Sequence, residues 1–153
     1  MCIAAEEKFH KYLDINLYNM QQIELIGDAI QAGFTEEEIK IVANPDFHWE
    51  QMREVIRGCK AGLPVTRISQ YAKTYYNPRQ MYQIYLAMVA GFSQTKLNIL
   101  LDSRFDAGQM SVIRLGFLSG LSTEDIKRFA DPILSADDMQ NYRMQLEHEK
   151  HIN

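Results

Sequence analysis

The feature that most constrains this chain is an internal repetition with a fixed period. Methionines recur at a 29-residue interval at Met52, Met81, Met110 and Met139, and glycines recur in phase at Gly33, Gly62, Gly91 and Gly120. A fixed period of this size is typical of stacked repeats. It predicts four repeats, at residues 23–51, 52–80, 81–109 and 110–138, with a capping half-repeat at each end.

Each repeat carries the signals of a helix start around its first residue, which is Ile23 in repeat 1 and methionine in the others. A polar residue four positions before it and a glutamine directly before it form the pattern of a capping box. An aromatic or apolar residue just ahead of the cap is placed to form a hydrophobic staple. We call a position that recurs in every repeat a column. The cap column holds Asn19, His48, Asn77, Asp106 and Ser135, and the box column holds Gln22, Gln51, Gln80, Gln109 and Asp138. The staple column holds Tyr18, Phe47, Tyr76, Phe105 and Leu134.

These signals predict a helical hairpin in each repeat. The first helix, about 14 residues long, ends at the periodic glycine in a left-handed turn. The second starts at caps such as Thr35 and Ser122, while Pro64 replaces the cap in the second repeat, and it buries pairs such as Ile39 and Val42. The small-residue column Ala29, Gly58, Ala87 and Gly116 indicates close helix packing.

One hairpin cannot bury both of its faces, so neighbouring repeats are expected to stack. The predicted fold is all-α, a right- or left-winding α-solenoid with about ten helices. It forms a single domain, 1–153, with an N-terminal capping helix over residues 1–22 and a C-terminal one over residues 139–153. Residues 3–14 look like a lone second helix of a repeat.

The columns also resemble those of a known group of proteins. Gly120-Leu121, Ile126, Phe129-Ala130, Asp131-Pro132 and Gln51-Met52 with Ile56-Arg57 carry the resemblance. The pattern resembles an uncharacterised α-helical tandem-repeat family of gut Firmicutes and their mobile elements, over roughly residues 19–142. This resemblance implies a solenoid and a mobile-element context, and it implies no activity. The third repeat departs from the pattern with Asp102-Ser103, so its loop is the least predictable.

Composition favours a cytoplasmic protein without catalytic machinery. The chain is 46% hydrophobic and 24% charged, enough to form a core, and its apolar runs are too short to cross a bilayer. Two cysteines do not indicate a disulfide framework. No phosphate-binding loop or nucleophile elbow occurs. His148 and His151 can share a helix face, but a metal site needs a third ligand. We therefore expect no enzyme activity, no cofactor and no metal.

Charge is distributed unevenly between the first two repeats. Repeat 1 has seven acidic residues and one lysine, a net charge of −6, and repeat 2 has six basic residues and one glutamate, a net charge of +5. Tyrosines lie beside the basic residues, as in single-strand nucleic-acid binders or acidic-peptide grooves. The alternative is that repeat 2 pairs with repeat 1, and that Tyr71 and Tyr76 belong to the core.

A second candidate surface is an apolar patch on the first helices of repeats 3 and 4. Leu86, Val89, Leu115 and Leu118 occupy columns that hold Asp28, Gln31, Arg57 and Lys60 in repeats 1 and 2. Either these side chains are buried between repeats, or they contact a partner or a second copy of the chain.

These patterns predict a non-catalytic protein–protein interaction module, either an adaptor or a small inhibitor of another protein. The alternative function is nucleic-acid binding through the basic and aromatic residues of repeat 2. A homodimer is a further alternative, and no membrane partner is expected. The predicted partner-binding residues are Arg53, Arg57, Lys60, Lys73, Tyr75, Arg79, Tyr82, Leu86, Val89, Leu115 and Leu118.

Overall fold

The computed structural model describes Glu7, Lys11 and residues 13–151, and its regular structure over 13–151 is entirely helical. That range contains nine α-helices and one short 3₁₀ helix, Ile15–Leu17, and it contains no strand. The all-α prediction is therefore confirmed. The predicted helix over residues 3–14 falls mainly on positions outside the described residues, as do Cys2 and His10.

Long and short helices alternate along the chain. The long helices are α1 (Met20–Gln31), α3 (Trp49–Lys60), α5 (Pro78–Val89), α7 (Ala107–Leu118) and α9 (Ala136–Glu149). The short helices are α2 (Glu36–Val42), α4 (Val65–Tyr71), α6 (Gln94–Leu100) and α8 (Thr123–Lys127). Four of the long helices have 12 residues, fewer than the 14 expected, because a non-glycine cap residue intervenes before each periodic glycine. Only α9 has 14.

The predicted capping boxes form at the starts of α1, α3, α5 and α7. The box predicted at α9 forms only in part, because the Asp138 carboxylate accepts from the Ser135 hydroxyl and not from the Ser135 N–H. In α1 the Asn19 side chain accepts from the Gln22 N–H at 3.0 Å, and the Asn19 N–H donates to Gln22 Oε1 at 2.8 Å. Asp106 and Gln109 repeat this pair of bonds at the start of α7. In α3 the cap is His48, whose Nδ1 accepts from the Glu50 N–H. The helix starts were thus read correctly from residue type and spacing.

The periodic glycines end four of the long helices as predicted. Their φ angles are +83°, +76°, +79° and +99° at Gly33, Gly62, Gly91 and Gly120. After each glycine, the next N–H bonds back to a carbonyl near the helix end, as in Phe34 to Ala29. This is the Schellman arrangement, which satisfies carbonyls that the helix end leaves free.

The small-residue column allows close packing between a long helix and the short helix that follows it. A Cβ added to Gly58 would lie 2.2 Å from Tyr71 Oη, and one added to Gly116 would lie 2.7 Å from Ile126 Cδ1. Both distances are below van der Waals contact, so a side chain at either position would displace the Tyr71 hydroxyl or the end of the Ile126 side chain. The space at Gly58 lets the Tyr71 hydroxyl donate to the Glu54 carbonyl at 3.0 Å.

The loop before each of α3, α5, α7 and α9 has the same backbone turn. Its closing bond joins Phe47 to Asn44, Tyr76 to Lys73, Phe105 to Asp102 and Leu134 to Asp131. The third repeat has this turn although it lacks the Asp-Pro pair, and its Asp102 side chain accepts from the Arg104 N–H at 3.0 Å. Asn44 and Asp131 make the equivalent side-chain bond, which is favourable in such turns. Lys73 closes the turn of the second repeat with neither this bond nor a proline after it.

The chain divides into two compact units, Met1–Met81 and Tyr82–Asn153. We call them the N-terminal unit and the C-terminal unit. Ile26, Met52 and Tyr71 are among the buried core residues of the first, and Leu97, Met110 and Phe129 among those of the second. The single domain 1–153 and the four repeat boundaries stay predictions. The periodic methionines lie in the first turn of the long helices, so each predicted boundary falls inside a helix.

Candidate interaction surfaces

The buried glutamines have a second role that was not predicted. Besides closing a capping box, Gln22 donates its Nε2 to the Pro45 carbonyl at 3.3 Å and to the Phe47 carbonyl at 2.6 Å. Gln51 makes the same two bonds, to Thr74 and Tyr76, and Gln109 makes them to Pro132 and Leu134. Each of these amides therefore fastens a helix start to the loop that precedes the next long helix. We call this arrangement the glutamine clamp.

The clamp explains why glutamine, and not glutamate, fills this column. A capping box needs only an acceptor, which either residue supplies, and a carboxylate at a helix start is favoured by the helix dipole. The two loop carbonyls need a donor, which only the amide has. In α9 the column holds Asp138, whose side chain bonds Ser135 and no other described residue. These glutamines hold the framework.

The N-terminal unit presents basic side chains on the outer face of α3. Arg53, Arg57 and Lys60 are all exposed there. Arg57 Nε lies 2.9 Å from Glu54 Oε2, and the Arg53 guanidinium lies 5.5 Å from the centre of the Trp49 ring. Arg53 and Lys60 form no ion pair with any described residue. The structure thus brings these three predicted residues together on one face.

The other three predicted residues of this unit lie elsewhere on its surface. Lys73 and Tyr75 are exposed in the loop after α4, where Tyr75 is 63% exposed, and Arg79 is exposed in the first turn of α5. Tyr71 and Tyr76 are buried at 0% and 1% exposure, which confirms the core alternative for them. Of the tyrosines in repeat 2, Tyr75 is therefore the one that lies exposed near the basic side chains.

Most of these cations do not form the ion pairs with acidic residues of repeat 1 that the alternative interpretation expects. Lys60, Lys73 and Arg79, like Arg53, make no ion pair within the described part of the chain. Ion pairs in this unit are local, such as Lys40 with Glu36 at 2.9 Å. On α1, Glu24 and Asp28 are exposed and have no ion-pair partner among the described residues.

A hollow of about 380 Å³ lies in the N-terminal unit beside the start of α5. Its lining consists of Glu50, Asn77, Pro78 and Arg79. The Asn77 side-chain oxygen already accepts from the Gln80 N–H at 2.9 Å, and Pro78 has no N–H to offer. Little of the helix start is therefore left to bind an anion, and Glu50 adds a negative charge. The hollow has no set of groups suited to catalysis.

The C-terminal unit exposes the predicted apolar patch. Val89 and Leu118 are each 52% exposed, Leu115 is 38% exposed and Tyr82 is 37% exposed, while Leu86 is half-buried. Their side chains are therefore not enclosed between helices in this chain. We call Tyr82, Leu86, Val89, Leu115 and Leu118 the apolar ridge.

The two helices of the ridge are joined by a polar contact. Arg114 Nε on α7 donates to Gln83 Oε1 on α5 at 3.0 Å. On α9, which packs against α7, Met144 is 54% exposed. Met144 lies one repeat period after Leu115 and so occupies the same column. Met144 extends the ridge to a third helix. The 29-residue period was the sequence signal that could have identified Met144.

Buried charges attach α9 to the rest of the C-terminal unit. Glu147 accepts from the Ser119 hydroxyl at 2.5 Å and pairs with Arg143. Asp125 accepts from Lys150 Nζ at 2.7 Å. The hydrogen bond from Lys150, followed by those from Ser122, lowers the pKa of Asp125 to about 2. These acids are engaged in structural contacts.

The Cys59 thiol is buried in the N-terminal unit. Burial, with a smaller contribution from the Glu38 charge, raises the pKa of the Cys59 thiol to about 12. The thiol is therefore protonated at neutral pH. His148 and His151 are exposed at the end of α9. Among the described residues, no three histidine, cysteine, aspartate or glutamate side chains are arranged to hold a metal.

None of the described helices is long and apolar enough to cross a bilayer.

No protein-family model matches the chain, and no curated protein and no solved structure matches it either. The resemblance to the Firmicutes repeat family therefore stays a prediction.

Proposed function

We propose that this chain is a non-catalytic protein–protein interaction module, an adaptor or a small inhibitor of another protein, whose binding surface is the apolar ridge. One observation carries the proposal: α5 and α7 expose aliphatic side chains at columns where α1 and α3 carry Asp28, Arg57 and Lys60. Because the framework accepts charged residues at these columns, folding does not require apolar ones. Exposed apolar patches of this kind mark surfaces that contact a partner, so we assign the ridge to partner binding.

Removal of this surface from water contributes to association. Burying a fully exposed leucine or valine side chain contributes about 1.5–3 kcal/mol, and four such residues lie in the ridge. All four are already partly buried, and Leu115 is only 38% exposed, so each contributes a fraction of that figure. Beside the ridge, Arg114 donates to Gln83, so polar groups border the apolar side chains as they do at the rim of protein interfaces.

The proposed architecture is an α-solenoid of four hairpins with capping half-repeats. Support comes from the helix starts, which fall at Met20, Trp49, Pro78, Ala107 and Ala136, each one repeat period after the previous one. The glutamine clamps support it too, because they join successive helix starts in the same way in both compact units. A cytoplasmic location and a mobile-element origin are parts of the same proposal.

The case against catalysis is that the buried amides, acids and thiol of the described residues are engaged in holding the fold. The glutamines clamp loops, Asp125 and Glu147 bind α9, and Cys59 is a protonated core thiol. Nucleic-acid binding is supported by the exposed cations of α3 and by Tyr75. It is opposed by Glu24 and Asp28 on the same compact unit, which repel phosphate.

The test is comparative affinity capture from the native host with the ridge altered. Leu115→Arg with Leu118→Lys installs on α7 the residues that α3 carries at the same columns. The matched control, Asp28→Arg with Gln31→Lys, makes the same change on α1. We expect a protein captured by the wild type, after nuclease treatment, to be lost with the α7 variant and kept with the α1 variant. Equal capture by both variants would overturn the assignment of the ridge.

A further inference from the structure

The N-terminal unit carries two stripes of opposite charge side by side, and four of their five charges make no ion pair with any described residue. The acidic stripe consists of Glu24 and Asp28 on α1, and the basic stripe of Arg53, Arg57 and Lys60 on α3. Only Arg57 has an ion pair on its own helix, with Glu54. The other four are exposed and form no ion pair with described residues.

The two stripes lie in equivalent positions on neighbouring helices. Helix α1 packs against α3, and Gln22 near the start of α1 bonds to Phe47, just before the start of α3. The helices therefore begin side by side. Glu24 and Arg53 are one repeat period apart, as are Asp28 and Arg57, so each acid has a base in the same column on the next helix.

We infer that this striped face binds a second copy of the chain in a two-fold symmetric dimer. A two-fold interface uses the same patch on both subunits, so a patch that is acidic on one side and basic on the other can complement itself. The axis runs between α1 and α3 and parallel to them. It places each acidic stripe opposite the partner's basic stripe, with Glu24 facing Arg53 of the partner subunit.

The charges also exclude the other simple arrangement. A two-fold axis perpendicular to the helices, but still in the plane of the face, would place α1 against α1 and α3 against α3. Like charges would then oppose each other on both helices, which costs affinity and so favours one geometry over the other. The stripes thus specify a second copy and also its orientation. This inference is independent of the proposed function, because the apolar ridge lies in the C-terminal unit.

The area of the face predicts a weak and salt-sensitive dimer. A 12-residue helix is about 18 Å long, and packed helices lie about 10 Å apart. Two helices therefore offer about 350 Å² per subunit, less than half of the area in a standard stable interface. We expect a dissociation constant on the order of 10–100 μM at low salt, with association governed by charge.

The experiment is sedimentation velocity of the full chain from about 5 to 300 μM protein, in 20 mM and 500 mM salt. Nuclease treatment and the ratio of absorbance at 260 and 280 nm control for bound nucleic acid. The wild type is expected to dimerise reversibly at low salt and to dissociate at high salt. Wild type that stays monomeric throughout, or that associates only when nucleic acid is present, overturns the inference.

Charge reversal gives the decisive arm. Glu24→Lys with Asp28→Lys makes the face wholly basic, and Arg53→Glu with Lys60→Glu makes it more acidic. Each variant alone should self-associate at least tenfold more weakly, while a 1:1 mixture should form a heterodimer. Circular dichroism and a single monomeric species at high salt verify that both variants are folded. Self-association of either variant at wild-type strength, or a mixture that stays monomeric, contradicts the two-fold pairing.

Discussion

Replacing Gln109 by glutamate isolates the donor function of the glutamine clamp. The substitution keeps the size of the side chain and keeps an acceptor for the Asp106 N–H, which Gln109 Oε1 now meets at 2.7 Å. It removes the Nε2 donor that lies 3.1 Å from the Pro132 carbonyl and 2.6 Å from the Leu134 carbonyl. A carboxylate oxygen would then face two carbonyl oxygens at a position that is only 4% exposed.

The expected loss of stability follows from these contacts. A hydrogen bond contributes about 0.5–1.5 kcal/mol net, and a buried acceptor left without a donor costs about 1–3 kcal/mol. The negative charge in the first turn of α7 returns about 0.3–1 kcal/mol through the helix dipole. We expect Gln109→Glu to lower the free energy of unfolding by about 2–4 kcal/mol at pH 8. Urea unfolding followed by circular dichroism measures it.

The pH dependence distinguishes the missing donor from a simple packing defect. Burial against carbonyl oxygens raises the folded-state pKa of the new glutamate above its unfolded value of about 4.3. The protonated form can donate one hydrogen bond, so the stability it restores is present at low pH and is lost as the pH rises through the folded pKa. The deficit relative to wild type should therefore be smaller at pH 5 than at pH 8.

The same column supplies a matched control in α9. Asp138→Gln places the clamp residue where the native side chain bonds only Ser135 among the described residues, so it should change stability by less than about 1 kcal/mol. Two results would refute the reasoning: a deficit below about 1 kcal/mol for Gln109→Glu at pH 8, or a deficit that is equal at pH 5 and pH 8.

Three further predictions concern packing, thiol chemistry and acid stability. Gly58→Ala should destabilise the chain by about 1–3 kcal/mol in urea unfolding, because the new Cβ displaces the Tyr71 hydroxyl. This cost outweighs the better helix propensity of alanine. The cost should be smaller in a Tyr71→Phe background, which lacks that hydroxyl. In a Cys2→Ser background, the Cys59 thiol, with its pKa raised to about 12, should react with a disulfide reagent at pH 8 only at the rate of unfolding, and rapid labelling of the native protein would contradict its burial. Because the pKa of Asp125 is lowered to about 2 in the folded chain, its ionised carboxylate stabilises the fold above about pH 4, and this stabilisation is lost as the pH falls towards 2. The difference in unfolding free energy between wild type and Asp125→Asn should therefore shrink over that range. A difference independent of pH would exclude the ion pair with Lys150 as its source.

Local features of the fold could be read from the sequence because they depend on residues close together in the chain. A capping box needs only a polar residue and a glutamine three positions apart, as Asn19 and Gln22 are, and a positive φ selects glycine at Gly33. Burial of pairs such as Ile68 and Tyr71 followed from helical spacing. These interactions leave a direct mark in a short stretch of sequence.

The clamp was not predicted because its carbonyl partners lie most of a repeat further along the chain. The box alone already accounted for Gln51 through Oε1, so the Nε2 donor went unassigned. One signal was available: glutamate is the better residue for a box near a helix dipole, yet four successive repeats use glutamine. Met144 was missed for a different reason, since the apolar column was followed on α5 and α7 and not continued to α9.

The outward columns of the long helices are free to vary because the framework contacts lie on other faces. On α3 and α7, for example, the glutamine clamp occupies the start, the periodic glycine follows the end, and the periodic methionine lies on the buried side. One outward column is thus aspartate on α1, arginine on α3 and leucine on α5 and α7. Changing Leu115 to the arginine of α3 should accordingly leave folding stability within about 0.5 kcal/mol while changing what the surface binds. Separation of folding from recognition at these columns is the physical reason to place function on the outward faces.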